Sequence, residues 1–170
     1  AQQSQDPMLD EKAIREWIED TLSSIEHIDT IDKGVDEKEQ PWIIRMSDYT
    51  SELRSILKSE KIDRDAFNSL RFRIVEAFDS DGTKHALENM ALLSCPDNSR
   101  LNNAIFPVKR DRIIRMEREG SFIPPCTRNV FLKLYSNADS QPYYWSTRDK
   151  ADYVTEIENV FNDFKKKTDL

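Results

Sequence analysis

The sequence predicts a mainly α-helical protein with one small β element. Three observations point to this fold class. Apolar residues recur at intervals of three and four along most of the chain, glycine is rare (3 in 170 residues), and one short continuous apolar run interrupts the helical period. Hydrophobic residues make up 38% and charged residues 34%, which is typical of a globular chain rather than a disordered one. No apolar run reaches the roughly 18 residues needed to cross a membrane, so no membrane partner is expected.

Three helices are predicted in the first half of the chain. The first begins after Asp10, a suitable N-cap, and its apolar stripe consists of Ile14, Trp17, Ile18, Leu22 and Ile25. Gly34 and the charge-rich stretch "DKGVDEKEQP" are expected to end this element. Further helices are predicted over residues 48–59 and 64–78, where apolar residues again repeat at helical spacing.

The period changes at "NMALLS", residues 89–94. This short, almost continuous apolar run between polar turns predicts a buried strand. The following "CPDNS" offers a helix N-cap, and helix is expected to continue through Leu101. A new helix is expected to start at Pro107 and to stop at Gly120.

Two more helices are predicted near the C-terminus. Thr127 is expected to cap a short one, and Ser146 or Thr147 a long one that ends in a lysine run. There is no internal repeat and no linker, so one domain over residues 1–170 is expected. It would consist of a helical segment at 1–80, a strand-turn-helix core at 84–120 and C-terminal helices at 121–170.

The charge distribution is uneven. The net charge of −7 taken alone argues against nucleic acid, yet residues 100–133 contain eight basic and only three acidic residues. Screening makes phosphate binding depend on charges within about 10 Å, so a local basic stripe can bind DNA on an acidic chain. A solvated helix face is the alternative interpretation of the same charges.

Residues 84–110 combine side chains that suit a phosphodiesterase. Asparagine is a poor helix and strand former, and burying its amide without a partner costs about 1–3 kcal/mol. Neutral imidazole suits a general base near pH 7, and oxygen ligands suit Mg²⁺. The candidate site residues of this stretch are His85, Asn89, Asn98, Asn102, Lys109 and Arg110. Capping and turn formation are the alternative role for the asparagines, and Asn98 is expected to cap in either case.

Four ordered motifs run through residues 84–155. They read H-x-x-x-N-x-x-L-L, D-N-S-x-L-x-N-x-x-F-x-x-K-R, F-I-P-x-C-T-x-x-V-F-L-K and W-S-x-x-D-x-x-x-Y. This pattern resembles the C-terminal HNH-like (β-β-α-metal) nuclease domain of GmrSD-type bacterial restriction proteins. In that family the nuclease usually follows a ParB-like nucleotide-hydrolysing domain.

The resemblance implies a helical domain built around a partial β-β-α-metal motif that cleaves phage or modified DNA in the bacterial cytoplasm. It implies one Mg²⁺ or Mn²⁺ ion and a histidine general base. Asn89 would orient that base, Asn98 would bind the metal, and Asn102 would brace the turn. Lys109 and Arg110 would contact backbone phosphate. His85 has a counterpart in the family, with ring-stacking or orientation of the strand turn as open alternatives to chemistry.

The catalytic histidine of the family lies in a Glu-His-Ile strand, and the sequence offers two placements for it. His27 stands in such a tripeptide, but near the end of the first amphipathic helix. The initial "AQQS" instead resembles the stretch that follows the base in the family, which would put the histidine and the first strand upstream of Ala1. The second placement is preferred, and it predicts that this chain alone has little or no nuclease activity.

Two other functions compatible with the sequence are a catalytically inactive helical module that binds DNA or docks a protein, and a purely structural helical fragment. The basic stripe would serve the first of these. The aromatic cluster Tyr143, Tyr144, Trp145 and Tyr153 could stack on bases, but a core role is favoured.

Overall fold

In a computed structural model of the chain, the structure describes residues 10–35, 38–78, 86–101, 104–137 and 141–168. These residues form seven α-helices, one 3₁₀ turn and one two-stranded sheet, which confirms the predicted mainly α fold with a small β element. The elements are α1 (Glu11–Ile25), β1 (Thr30–Val35), β2 (Pro41–Arg45), α2 (Met46–Lys58), α3 (Arg64–Phe78), a 3₁₀ turn (Leu87–Asn89), α4 (Cys95–Leu101), α5 (Phe106–Arg118), α6 (Pro125–Phe131) and α7 (Thr147–Thr168).

The chain divides into two compact units, residues 1–77 (unit 1) and residues 78–170 (unit 2). The division falls close to the end of the helical segment predicted over residues 1–80. The prediction of one domain over residues 1–170 stays a prediction.

The first helix of unit 1 forms as its sequence predicts. Asp10 caps α1, because its carboxylate accepts a hydrogen bond from the Ala13 N–H at 2.7 Å. The five predicted stripe residues are all buried, and the Trp17 ring meets Phe67 of α3 edge-on at 5.5 Å. Helix α1 therefore presents one apolar face to the core of unit 1.

Strands β1 and β2 form a hairpin after α1, in a stretch that was predicted only to end the first helix. Helix α1 ends at Ile25, well before Gly34, and β1 pairs antiparallel with β2. Ile31 lies opposite Ile44 and is 2% exposed, so one face of the hairpin reaches the core. β-branched residues on both strands favour this pairing, and Gly34 adopts a φ of 86° at the irregularity before the turn.

The remaining helices of unit 1 lie close to their predicted positions. Helix α2 starts two residues before the predicted range of 48–59, and α3 coincides with the predicted 64–78. The Arg15 guanidinium donates to the carbonyls of Leu57 at 2.8 Å and Ser59 at 2.9 Å. Arg15 thus ties α1 to the C-terminal end of α2, where backbone carbonyls lack helical partners.

Unit 2 has two small core clusters that share Phe106, the first residue of α5. Phe106 stacks on Phe131 at 5.6 Å and on Trp145 at 5.9 Å. One cluster contains Leu101, Ile113, Met116, Ile123 and Phe131, and the other contains Val130, Trp145 and Tyr153. Trp145 and Tyr153 are therefore core residues, as the sequence analysis favoured.

Two helix boundaries in unit 2 follow the predicted rules. Pro107 lies at the start of α5, and Gly120 follows its end with a φ of 91°. Ser146 caps α7 through a capping box, because its hydroxyl accepts from the Asp149 N–H at 3.1 Å while its own N–H donates to the Asp149 carboxylate at 2.8 Å.

Two predictions in unit 2 are wrong. Residues 89–94 form no strand, since Asn89 closes the 3₁₀ turn and Met90–Ser94 joins no ladder within the described residues. Thr127 does not cap α6, which begins two residues earlier at Pro125. Thr127 is instead buried, with its hydroxyl bonded to Leu92, so a side chain occupies the carbonyl that a neighbouring strand would use.

Candidate functional site

The segment before α4 is extended without belonging to a sheet. The N–H of Asn89 bonds to Ala86 at 2.9 Å to close the 3₁₀ turn, and Met90 then has extended dihedral angles (φ −112°, ψ 143°). Side chains alternate after that point. Met90 and Leu92 are exposed, whereas Ala91 and Leu93 pack on the core cluster of Ile113 and its neighbours. The segment thus has the alternating burial of a strand, as its sequence indicated, but no strand pairs with it among the described residues.

Three side chains hold this segment by its carbonyl groups. The Trp145 indole donates to the Glu88 carbonyl at 2.9 Å, and the Thr127 hydroxyl donates to the Leu92 carbonyl at 2.5 Å. The Tyr153 hydroxyl reaches the Met90 carbonyl at 3.4 Å, a longer and weaker contact. All three donors belong to the downstream motifs of the sequence pattern, so these motifs fix the backbone on which Asn89 stands.

Among the residues of the 84–110 candidate site that the structure describes, Asn89 and Asn98 are the ones that face solvent. Both are exposed, and their carboxamides make no hydrogen bond within the described residues. Asn98 lies inside α4 and does not cap it, which corrects the expected capping role. Ser94 performs that role, since its hydroxyl accepts from the Asp97 N–H at 3.2 Å and donates to the Asp97 carboxylate at 2.6 Å.

The other predicted residues of the catalytic centre cannot be placed beside these two. His85 and Asn102 lie outside the described residues. His27 is exposed in the turn between α1 and β1 of unit 1 and does not stand at the end of a strand. Among the predicted site residues, the structure thus places Asn89, Asn98, Lys109 and Arg110 in unit 2.

Lys109 and Arg110 lie near the N-terminal end of α5, and both are half-buried. The Nε atom of Arg110 is buried and has no hydrogen-bond partner within the described residues. A buried donor without an acceptor costs about 1–3 kcal/mol, so the observed position of the Arg110 side chain carries an energetic penalty.

Several side chains of the predicted basic stripe form hydrogen bonds or ion pairs with other residues of unit 2. The Arg112 guanidinium donates to the carbonyls of Arg100 at 2.8 Å and Leu101 at 3.1 Å, at the C-terminal end of α4. Arg128 forms an ion pair with Glu117 at 3.3 Å. Counting charges along the sequence therefore overstates the positive surface that is available to a nucleic acid.

A buried ion pair lies beside these residues. The Lys133 ammonium is 2.8 Å from the Asp149 carboxylate, with side-chain exposures of 10% and 0%. Burial alone would raise the pKa of Asp149, but hydrogen bonds from Lys133, Ser136 and Ser146 outweigh it and hold that pKa below its ordinary value. Burial lowers the pKa of Lys133, against the opposing effect of Asp149, and the charge of Arg110 lowers it further.

Lys133 also has an unusual backbone. It adopts a φ of 57° just after α6, and its N–H bonds to the Val130 carbonyl at 3.0 Å while the Leu134 N–H bonds to Asn129 at 2.8 Å. This is the Schellman arrangement that normally ends in glycine. Sequence reasoning missed Lys133 and Asp149 as partners, although the Ser146-x-x-Asp149 spacing was available as a capping signal.

The described residues do not complete a metal site. They contain no group of three His, Cys, Asp or Glu side chains placed to hold an ion. The exposed amide oxygen of Asn98 is a suitable single ligand for Mg²⁺, which keeps several of its waters, and further ligands must come from other residues.

No family model matches the chain, and neither the curated proteins nor the solved structures contain a match. The resemblance to HNH-like nucleases therefore depends on the quoted residues alone. Within the described ranges, no helix combines the length and the apolar character needed to cross a bilayer.

Proposed function

We propose that unit 2 belongs to an HNH-like, metal-dependent DNA endonuclease domain of a bacterial restriction protein that acts against phage in the cytoplasm. One observation carries the proposal. The four sequence motifs interlock to build the core of unit 2, whereas their two carboxamides, Asn89 and Asn98, stay exposed and unbonded within the described residues. Exposed amide oxygens and N–H groups of this kind can contact a cation or an imidazole.

The roles proposed for the two asparagines follow from their chemistry. Trp145 and Thr127 hold the backbone on either side of Asn89 in place, so its amide projects from a fixed backbone towards solvent, where it could orient an imidazole base. Asn98 offers an oxygen ligand from α4. The bound cation would stabilise the charge that develops on the phosphate and on the leaving oxygen.

Lys109 and Arg110 are the proposed contacts to the DNA backbone. The Nε atom of Arg110 is buried, so a bidentate contact from its guanidinium to a phosphate would require the side chain to turn towards solvent. Two other basic residues of α5, Arg115 and Arg118, are exposed and available for weaker, salt-dependent contacts.

The general base is proposed to lie upstream of Ala1, in a strand that would precede the "AQQS" stretch. His27 is the less suitable candidate, because it lies in a turn after α1 rather than at a strand end. A ParB-like nucleotide-hydrolysing domain of the same protein is the proposed partner. This chain alone is accordingly expected to cut DNA poorly or not at all.

The test is plasmid cleavage with Mg²⁺ or Mn²⁺ by this chain and by a version extended with the residues encoded before Ala1. We expect cleavage only by the extended protein. In it, Asn89→Ala should reduce the rate by about 10–100-fold, the loss typical of an orienting residue, and Asn98→Ala by at least as much. Asn68→Ala, on an exposed position of α3, is the matched control and should have no effect.

Three results would contradict this proposal. Robust cleavage by the present chain that disappears in His27→Ala would place the base at His27. An extended protein that never cuts DNA would refute the nuclease activity. DNA binding that depends on salt but is indifferent both to Mn²⁺ and to Asn98→Ala would favour the inactive binding module instead.

A further inference from the structure

The two halves of α7 have different surroundings. Tyr153 and Ile157 in the first half pack on the cluster of Val130 and Trp145. From residue 158 to residue 168, every position is exposed. The second half of α7 therefore continues for about three turns without contributing to the core of unit 2.

The apolar stripe of α7 does not stop where the core stops. Val160, Phe161 and Phe164 are 62%, 56% and 63% exposed, and helical geometry puts them in the same arc of about 100° as Tyr153 and Ile157. A helical segment of about three turns is marginally stable in water when nothing packs against it. Large apolar side chains that are exposed in one line along such a segment indicate a binding surface.

Charged residues flank this stripe in a definite order. At 100° per residue, Glu156 and Lys167 fall on one side of the stripe, and Glu158 and Lys165 fall on the other. On the Glu158 side the acid lies N-terminal to Phe161 and the lysine lies C-terminal to it. The Glu156 side has the same order and also carries Asp163, which forms an ion pair with Lys166 of the same helix. Each flank thus has a glutamate towards its N-terminal end and a lysine towards its C-terminal end.

We propose that α7 mediates self-association of two copies of this chain through an antiparallel helix pair. A two-fold axis between Phe161 and Asn162 brings Glu156 of one copy level with Lys167 of the other. The same axis brings Glu158 level with Lys165 on the opposite flank. One axis therefore satisfies both charge pairs, whereas a parallel pairing would put like charges side by side.

The same axis also suits the apolar residues. Val160 and Phe161 of one helix fall at heights between those of Phe164 and Phe161 of the second copy, and Phe164 falls one residue beyond the height of the second copy's Val160, which lets the side chains interdigitate. The contacts that α7 makes with itself do not compete strongly. The Lys166–Asp163 ion pair, at 3.7 Å, is 79% and 70% exposed, and Lys165 lies over the Phe161 ring at 4.7 Å.

The association is expected to be weak, since a single helix seam falls in the size class of transient interfaces below about 1,200 Å². Sedimentation equilibrium of the full chain, from low micromolar to submillimolar concentration, should show an average mass that rises from 19.9 kDa towards twice that value. The double variant Phe161→Ser, Phe164→Ser should stay monomeric. Phe122→Ser, which alters a phenylalanine 79% exposed before α6, is the control and should associate normally.

Charge reversal tests the orientation. Glu156→Lys with Glu158→Lys should weaken association by about tenfold, because four pairs per dimer become repulsive. Lys165→Glu with Lys167→Glu should do the same. The chain with all four substitutions should associate as the unmodified chain does, and failure of this rescue would overturn the antiparallel arrangement.

The proposal does not depend on nuclease activity, and these measurements require none. A chain that remains monomeric at every concentration overturns it. If such a monomeric chain binds vesicles of anionic lipid, and Phe164→Ser abolishes that binding, the stripe belongs to a membrane surface instead. Circular dichroism of each variant should show unchanged helix content, because the altered side chains are exposed, apart from the half-buried Glu156.

Discussion

Units 1 and 2 are held together in different ways. In unit 1, helical stripes such as that of α1 supply a continuous set of buried apolar residues, and charge pairs such as Arg73–Glu52 remain at the surface. In unit 2, an extended segment that pairs with no strand among the described residues is fixed by hydrogen bonds from Trp145 and Thr127. A buried ion pair, Lys133–Asp149, adds a second polar anchor.

The difference concerns how stability is distributed over residues. Apolar burial is non-directional, and in unit 1 it is spread over many residues. Hydrogen bonds and buried charges are directional, and an orphaned partner costs more than the contact contributed. Unit 2 should therefore depend on a few polar side chains, and substitutions can test this in matched pairs.

The largest effect is expected from Asp149→Ala. The substitution leaves the Lys133 ammonium buried without its carboxylate, which typically costs about 3–5 kcal/mol. The free energy of unfolding of unit 2 should fall accordingly, as measured by hydrogen exchange of α6 and α7 in urea. The matched change in unit 1 is Glu52→Ala, which removes a half-exposed partner of Arg73 and should cost less than about 1 kcal/mol. Equal losses in the two variants would remove the proposed contrast.

A smaller effect is expected from acid. The pKa of Asp149 is lowered in the folded state, so its stabilising contribution is present above the ordinary value of 3.8. That contribution is lost as the pH falls below this value towards the folded pKa. Unit 2 should therefore lose protection against hydrogen exchange below about pH 4. The loss should be smaller than the loss caused by Asp149→Ala, because the protonated side chain keeps its hydrogen bonds with the Ser136 and Ser146 hydroxyls. In Asp149→Asn this part of the pH dependence should disappear.

The smallest effect compares two buried tryptophans. The Trp145 indole N–H donates to Glu88, whereas that of Trp17 has no partner within the described residues. Phenylalanine at either position keeps an aromatic ring. Trp145→Phe should therefore cost about 1–3 kcal/mol more than Trp17→Phe, because only it orphans a carbonyl. Thermal unfolding of the two variants measures the difference, and a Trp17→Phe loss as large as that of Trp145→Phe would show that ring packing dominates.

The sequence predicted the helices of unit 1 well because their signals are local. The cap at Asp10, the stripe of α1 and the range of α3 each depend on residues within a few turns of one another. The hairpin was missed because its charged residues, from Asp32 onward, looked like a helix stop. Its defining contact pairs Ile31 with Ile44, thirteen positions apart, and such pairing leaves little local trace.

The sequence predicted the exposed residues of the candidate site but not the side chains that hold its backbone in place. Asn89 and Asn98 stood out because asparagine is a poor helix and strand former. The strand at residues 89–94 was wrong because a period of two does not reveal whether a neighbouring strand or a side chain such as Thr127 will take the carbonyls. A contact between residues 57 positions apart, such as that of Trp145 with Glu88, produces no local pattern in the sequence from which it could be predicted.

The ends of α5 and α6 share one backbone arrangement, completed by Gly120 in the first and by Lys133 in the second. Redesign by helix-end rules would replace Lys133 with glycine to relieve its left-handed conformation. The replacement would also delete the cation on which Asp149 depends, so a change chosen to stabilise the backbone would leave a carboxylate stranded in the interior. At Lys133, the ion pair of the side chain offsets the cost of a left-handed backbone conformation.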